Sequence, residues 1–433
     1  MDQREGYKKT KLGWIPEDWD AVKLGKITNK VGSGITPRGG SKVYQDNGIP
    51  FFRSQNILYG KVSVKDIVYI SEAIHQKMKN TQLQPADVLL NITGASIGRC
   101  CVFPNDFENG NVNQHVCIIR PDEIIKSKYL CYILNSQIGQ NQIWNFQAGG
   151  NREGLNFQQI KSFIIPYPPL PEQKKIAEIL TTIDNKISSI DNQIQQAEQL
   201  KKGLMEKLLT EGMGHTEFKD TKIGRMPKSW DVAPLVDLTI KEKSGIRRGP
   251  FGGAIKKSFF VSEGYKIYEQ KNVIRNNFFL GNYFITEEKF QELKNFKVRA
   301  RDLLISCSGT IGKIVEVPMG IKEGVINQAL LRIRLNGDVI NQGYFLHIFQ
   351  SDTFQKKIID STQGGAMKNL IGMNEFRNVL FTRPPLEEQN QIASILSSVD
   401  DKIEVLTQKK YHYQTLKKGL SQQLLTGQMR VKV

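Results

Sequence analysis

Short apolar runs, each closed by glycine, asparagine or proline, fill most of this chain. Asp87-Val88-Leu89-Leu90-Asn91-Ile92, Val116-Cys117-Ile118-Ile119 and Leu330-Leu331-Arg332-Ile333-Arg334 are of this kind. Such runs with turn residues between them predict strands. Shorter helices are expected at Lys128 to Gln140 and at Tyr344 to Ile359.

Two stretches break the pattern. From Ile176 the apolar positions fall at Leu180, Ile183, Ile187, Ile190, Ile194 and Ala197. Alternating steps of four and three mark a coiled-coil seam. Beyond Ala197 come Leu200, Leu204 and Leu208, a longer repeat at which the seam should straighten. The second stretch uses Ile392, Leu396, Val399, Ile403, Leu406, Tyr413, Leu416, Leu420 and Leu424, with Lys410 where the first has Ile194. Pro171 suits a first helical turn, and Gly212 and Gly427 suit helix stops. Each helix then has roughly 38 residues and a length of about 57 Å, with its apolar stripe meant for another helix. Gly203 and Gly419 lie inside these helices, where close approach of a second helix would explain them.

The two stretches belong to a larger repeat. Pro168-Pro169-Leu170-Pro171-Glu172-Gln173 returns as Pro384-Pro385-Leu386-Glu387-Glu388-Gln389, and Leu200-Lys201-Lys202-Gly203-Leu204 as Leu416-Lys417-Lys418-Gly419-Leu420. Gly13, Pro16 and Trp19 return as Gly224, Pro227 and Trp230, and Asp87 through Gly98 as Asp302 through Gly312. Asn113-Gln114 and Arg120 return as Asn327-Gln328 and Arg334. The period is too long for a solenoid, so a whole unit of globular domain plus helical tail is duplicated. The expected fold class is α+β, a tandem pair of globular domains each followed by a long helix. The divisions fall at 1–168, 169–212, 213–384 and 385–433. Stretches 32–60 and 244–275 differ most between the copies, as expected of one scaffold carrying two specialised surfaces.

Composition narrows the function. Sixty Lys and Arg against 43 Asp and Glu leave a net charge of +17, which attracts polyanions. The apolar share of 39% is ordinary for a globular protein. No apolar run is long enough to span a membrane, and the first residues do not read as a signal peptide. Cys100, Cys101, Cys117, Cys131 and Cys307 fit no zinc spacing and read as reduced thiols of a cytoplasmic protein.

The candidate nucleic-acid contacts are polar, basic and on loops. In the first copy Arg38 sits in a glycine-rich loop, Gly32 to Gly40, followed by Arg53, Gln55 and Asn56. In the second copy the candidates are Arg247, Arg248, Lys256, Lys257, Gln270, Lys271 and Asn272. Arginine and lysine suit guanine edges, and asparagine and glutamine suit adenine edges. Glycine lets a backbone come close to a partner. Glycine-rich Gln147 to Gly150 and Gln363 to Gly365 are further loops that could face DNA.

Chemistry of other kinds is missing. Gly309-Thr310-Ile311-Gly312-Lys313-Ile314 has the wrong spacing for a phosphate loop and lacks its hydroxyl. Neither Tyr167-Pro168-Pro169-Leu170 nor Arg383-Pro384-Pro385-Leu386 matches the Asn/Asp-Pro-Pro-Tyr/Phe motif of amino-methylating enzymes. The five histidines form no metal-ligand pair at helical spacing. No catalytic residue, metal site or cofactor site is assigned to this chain.

Two variable domains, each opened by Gly-x-x-Pro-x-x-Trp and followed by Pro-Pro-Leu-x-Glu-Gln and a long helix ending in Leu-Leu-Thr, resemble the specificity subunits of Type I restriction–modification enzymes. The resemblance covers essentially the whole chain. It implies that each globular domain reads half of a split, asymmetric DNA site. It implies that the long helices pack antiparallel as a coiled coil and act as a ruler. The duplication makes a pseudo-two-fold arrangement natural, with Ile190 expected near Leu406 and Gly427 ending near the first domain. Two methyltransferase subunits that bind S-adenosylmethionine would dock on the assembly, and motor-nuclease subunits could join. The alternatives are a coiled-coil scaffold that binds only proteins, against which the charge speaks, and a self-contained methyltransferase, whose motifs are missing.

Overall fold

The computed structural model describes residues 4–147, 154–241, 245–251, 253–360 and 369–433. Gly149-Gly150 and Gln363 to Gly365 lie outside the described residues. The chain forms two compact units, residues 1–191 with 408–433, and residues 192–407.

The first unit opens with a hairpin, Tyr7–Thr10 against Gly13–Pro16. Strand Asp20–Lys23 then pairs antiparallel with Ile164–Tyr167. The centre is a four-stranded antiparallel sheet in the order Thr28–Ser33, Val116–Pro121, Val88–Asn91, Cys100–Val102. A three-stranded sheet stands beside it, with Ile49–Phe52 flanked by Val68–Ile70 and Asn111–Val112. Successive side chains of a strand point to opposite faces. Val88 and Leu90 accordingly join a core with Trp19, Tyr129, Leu130 and Ile176. Leu89, between them, joins a second core with Phe52, Phe103 and Val112. A sheet covered on both faces needs continuous apolar runs, which is why the sequence shows runs rather than alternation.

The second unit repeats this plan. Its hairpin is Phe218–Thr221 with Gly224–Pro227, and Asp231–Pro234 pairs with Leu380–Arg383. Its four-stranded sheet runs Ile246–Arg248, Leu330–Ile333, Leu303–Ser306, Ile314–Glu316. Tyr265–Tyr268 lies between Phe284–Ile285 and Gly324–Ile326 in the smaller sheet. Each helix expected after the last sheet strand is instead two. Ser127–Asn135 and Gln137–Gln147 break at Ser136, and Gln342–Gln350 and Asp352–Ile358 break at Ser351. The serine hydroxyl accepts an N–H of the following turn in each copy, from Ile138 and from Phe354. A side chain that offers the backbone this bond favours a new helix start over continuation.

The long helices are Leu170–Leu208 and Leu386–Leu425, of 39 and 40 residues. Both units take a share of each. In the first unit Lys417 reaches Asp184 at 2.6 Å and Lys410 reaches Asp191 at 2.5 Å, so the helices run antiparallel. In the second unit Lys201 reaches Asp400 at 2.6 Å, and Leu208 shares a core with Ile392 and Leu396. Ile176, Leu180, Ile183, Ile190, Ile392, Leu396, Val399 and Leu406 are buried, and Ile187, Ile194, Ile403 and Leu420 are half-buried.

Two expectations about the helices fail. Leu200 and Leu416 are 53% and 41% exposed. The step of four after Ala197 falls on Lys201, not Leu200, and the equivalent position is Lys417. These lysines lie along the seam and put their ammonium groups on Asp400 and Asp184. The buried stripe therefore continues through Lys201 to Leu204 and Leu208. Gly203 and Gly419 have nothing among the described residues near an added Cβ, so no close helix approach among those residues explains them.

The motifs at the helix starts now have a physical reason. Trp19 is fully buried and its indole N–H donates to Glu172 at 3.0 Å. Trp230 does the same to Glu388 at 2.8 Å. The next residue, Gln173 or Gln389, bridges two segments: its amide N–H donates to the carbonyl of Pro168 or Pro384. Its oxygen accepts the N–H of Lys126 or Asn341. Glu-Gln thus fixes each globular segment to its own long helix.

The end of a long helix closes each unit. Gly427, at φ +71, lies against Pro16 and Trp19, and Tyr7 donates to its carbonyl at 3.0 Å. Arg430 then pairs with Glu172 at 2.8 Å and with Asp18 at 2.7 Å, holding the Asp18 carboxyl below its usual range. In the second unit Gly212 occupies the corresponding place against Trp230, and His215 bonds Glu388 at 2.8 Å. Arg430→Ala would leave the buried Glu172 with Trp19 as its remaining side-chain partner. Discounted for the half-exposed arginine, the expected loss is about 1–2 kcal/mol. Urea denaturation should show a lower midpoint, and an unchanged one would mean that the tail is not held. No described helix is long and apolar enough to cross a membrane.

Candidate nucleic-acid interface

One end of the four-stranded sheet gathers the loops in each unit. In the first, strand Thr28–Ser33 ends there, Val116–Pro121 begins there, Val88–Asn91 ends there and Cys100–Val102 begins there. The loops are therefore residues 34–48, 113–115 and 92–99, joined by 53–60 from the smaller sheet. Thr36 donates to Gln114, Thr93 bonds His115 at 2.6 Å, and Asn91 donates to the Ser54 carbonyl at 2.8 Å. These bonds tie all four loops into one rim. The second unit builds its rim from 249–251, 253–264, 307–313, 327–329 and 269–283. Gln270 donates there to the Ser308 carbonyl, and the Cys307 N–H to Ala329 at 2.8 Å.

A glycine at the same place in each copy allows this crowding. A Cβ on Gly34 would lie 1.8 Å from the Val112 carbonyl oxygen, and one on Gly249 would lie 1.8 Å from that of Asn327. For these glycines the close partner is the chain's own backbone rather than a ligand.

The candidates divide by environment. Arg38, Gln55, Lys256 and Lys257 are exposed, and Arg38 and Gln55 have no hydrogen-bond or ion-pair partner among the described residues. Arg53 is half-buried, donates to the Asp66 carbonyl at 2.7 Å and lies over the Tyr44 ring. Arg248 lies 5.0 Å over the ring of exposed Phe251. Lys271 pairs with Glu269 at 2.6 Å and faces Tyr283. Arg247 belongs to the sheet: it stands opposite Arg332 and lies over Phe296. Its charge adds to the crowd that, after burial, pushes Arg332 down to about 10.

Asn56 and Asn272 are corrections. Both are fully buried. Asn56 accepts the Arg53 N–H at 3.0 Å and donates to the Ser63 and Lys65 carbonyls. Asn272 accepts the Glu269 N–H at 2.8 Å and donates to the Asn277 and Leu280 carbonyls. A side chain whose donors and acceptor are all spent on its own backbone has nothing left for a base edge. These asparagines shape the rim rather than read from it.

Sequence reasoning missed several rim residues. Gln114 and Gln328 are exposed at equivalent places, each held by an asparagine turn, Asn113 or Asn327. Thr93, Ser96, Ser308 and Thr310 lie on the neighbouring loop. They sit in segments shared by both copies, which a search for differences passes over. Exposed aromatics on the rim loops, Tyr59 at 57% and Phe279 at 79%, were also passed over, because no polar pattern marks them.

Comparison with known proteins places this architecture. The family model for the Type I restriction modification DNA specificity domain matches residues 16–199 and 251–412. A putative type I restriction enzyme MjaX specificity subunit from Methanocaldococcus jannaschii is 29% identical, over 99% of this chain and 98% of its own length. The EcoKI specificity subunit of Escherichia coli K12 is 22% identical, over 88% of this chain and 82% of its own. Among solved structures, a Type-I restriction-modification system S subunit from M. genitalium superposes with a TM-score of 0.60 at 12% identity, covering 98% of each chain. A chain from a study of complex assembly and conformational transition in the type I R-M system gives 0.57 at 16% identity, covering 96% of this chain and 99% of its own.

Proposed function

Because the chain belongs to the Type I restriction–modification DNA specificity family, we propose that its two rims are the surfaces that touch DNA, one for each half of a split site. The chain is the sequence-specific DNA-recognition subunit and is not catalytic. Specificity subunits of this family assemble with methyltransferase and restriction subunits. On our proposal two methyltransferase subunits bind here, S-adenosylmethionine is held by those partners, and the complex works on DNA in the cytoplasm. The long helices keep the half-sites at a fixed spacing.

One observation carries the rim assignment. The two units share the buried turn asparagine and its bond to the N–H three residues earlier, while the exposed residue beside it differs, Gln55 in one and Lys271 in the other. Shared residues build and grip; unshared ones distinguish one sequence from another. A net charge of +17 supplies the phosphate attraction that all sequences feel.

The test is to map methylated adenines in cells that express the chain with its methyltransferase partner. Two different half-sites separated by a fixed gap are expected. Replacing residues 244–275 with those of a relative should change one half only. Methylation without any sequence preference, or a change in both halves, would refute the proposal.

A further inference from the structure

We propose that Gln55 and Lys271, which occupy the same structural position in the two copies, each select one base pair of their respective half-sites. This rests on the DNA-recognition function and assigns its specificity to particular side chains.

The equivalence comes from the hydrogen bonds. Asn56 and Asn272 each accept the backbone N–H three residues earlier, at 3.0 and 2.8 Å. Each also donates to two carbonyls of the loop that follows. The residue just before the buried asparagine is therefore set in a fixed turn in both copies. It is Gln55 in one and Lys271 in the other, and both are exposed.

The turn's other residues, Arg53 and Ser54 in one copy and Glu269 and Gln270 in the other, are half-buried. The Ser54 carbonyl accepts from Asn91, and the Gln270 side chain donates to the Ser308 carbonyl, so the second place anchors the turn to its neighbour. Arg53 is taken up by the Asp66 carbonyl and Tyr44. Glu269 is drawn against Lys271, which steadies that lysine beside the face of Tyr283. Gln55 in one turn and Lys271 in the other are the exposed side chains, on a backbone that the buried asparagine pins.

The two residue types ask for different bases. A glutamine amide offers a donor and an acceptor that match the N7 and N6 edge of adenine. A lysine ammonium offers donors only, which match O6 and N7 of guanine. Identical turns carrying different readers would let one scaffold recognise unlike half-sites.

The experiment uses the full chain with its methyltransferase partner. Methylated motifs are sequenced, and binding is measured by competition among duplexes randomised at each position. Gln55→Lys should change the preferred base at one position of one half-site by about tenfold or more. The other half-site should stay as it is, which also shows that the protein is folded. Lys271→Gln should do the converse, and Gln55→Ala should relax the same single position without adding charge. Unchanged motifs in all three variants, or an equal loss over all sequences, would overturn the inference. A wild-type complex with no motif at all would instead remove the DNA-recognition function on which it stands.

Discussion

Gly249→Ala is expected to abolish recognition of one half-site while the other is kept. The new Cβ would lie 1.8 Å from the Asn327 carbonyl oxygen and 2.9 Å from the Gln328 nitrogen. Both are backbone atoms, so no side chain can swing away. The strand end, Ile246–Arg248, is held in register with Leu330–Ile333, and the Gly249 N–H donates to Leu330 at 2.8 Å. Relief must come from moving the 327–329 turn outward, which takes Gln328 and the rim with it. Crowding of this kind costs about 2–3 kcal/mol in the affected unit. Denaturant unfolding of the purified chain measures the cost, and competition between half-site duplexes measures the recognition. Gly34→Ala should mirror the result on the other half-site, since its Cβ meets the Val112 carbonyl in the same way. Wild-type stability and an unchanged motif in both variants would mean that the rim tolerates displacement and does not read DNA.

The duplication was legible because it is written twice. Trp19 with Glu172, and Trp230 with Glu388, are separated by more than 150 residues along the chain, yet both ends of the bond return in the second copy. Heptad spacing likewise marked the long helices and most of their buried face. The misreadings have a common cause: residue type was taken for residue role. Asn56 and Asn272 look like adenine readers, but an amide with three bonding groups is equally suited to closing a turn, and only the fold shows that it does so. Leu200 and Leu416 look like seam residues because they are apolar. On a helix a shift of one residue turns a side chain by about 100°, and the adjacent Lys201 and Lys417 hold the inward place by virtue of Asp400 and Asp184. The rim itself was half visible. Differences between the copies pointed to 32–60 and 244–275, but they could not show that shared loops at 92–99 and 113–115 complete the same surface.

The second unit is expected to be the more acid-sensitive one, through His347. This histidine is buried on the helix Gln342–Gln350, where its ring faces Ser397, Asp400 and, through Asp400, Lys201. Burial lowers its pKa to about 4; Asp400 at 3.9 Å opposes that shift and Lys201 adds to it. In an unfolded chain the imidazole titrates near its ordinary value of 6.5. The folded state therefore refuses a proton that the unfolded state accepts. Stability from this group is complete above about pH 6.5, declines as the pH falls toward 4, and is lost below that. The interval corresponds to about 3 kcal/mol, as an order of magnitude. The first unit places Tyr132 at the matching position, bonded to Asp184 at 2.8 Å with Lys417 beside its ring. A phenol is uncharged throughout this range, so His347→Tyr should remove the acid step while offering Asp400 a hydroxyl in place of the ring nitrogen. Other carboxylates also titrate between pH 7 and 4.5, so the informative quantity is the difference between variant and wild type. Urea midpoints of the two proteins should diverge in favour of the tyrosine as the pH is lowered from 7 to 4.5. Hydrogen exchange should locate the wild-type opening in residues 342–350 and 386–407. A difference that stays constant over that range would show that His347 takes up its proton as readily in the folded protein as in the unfolded chain.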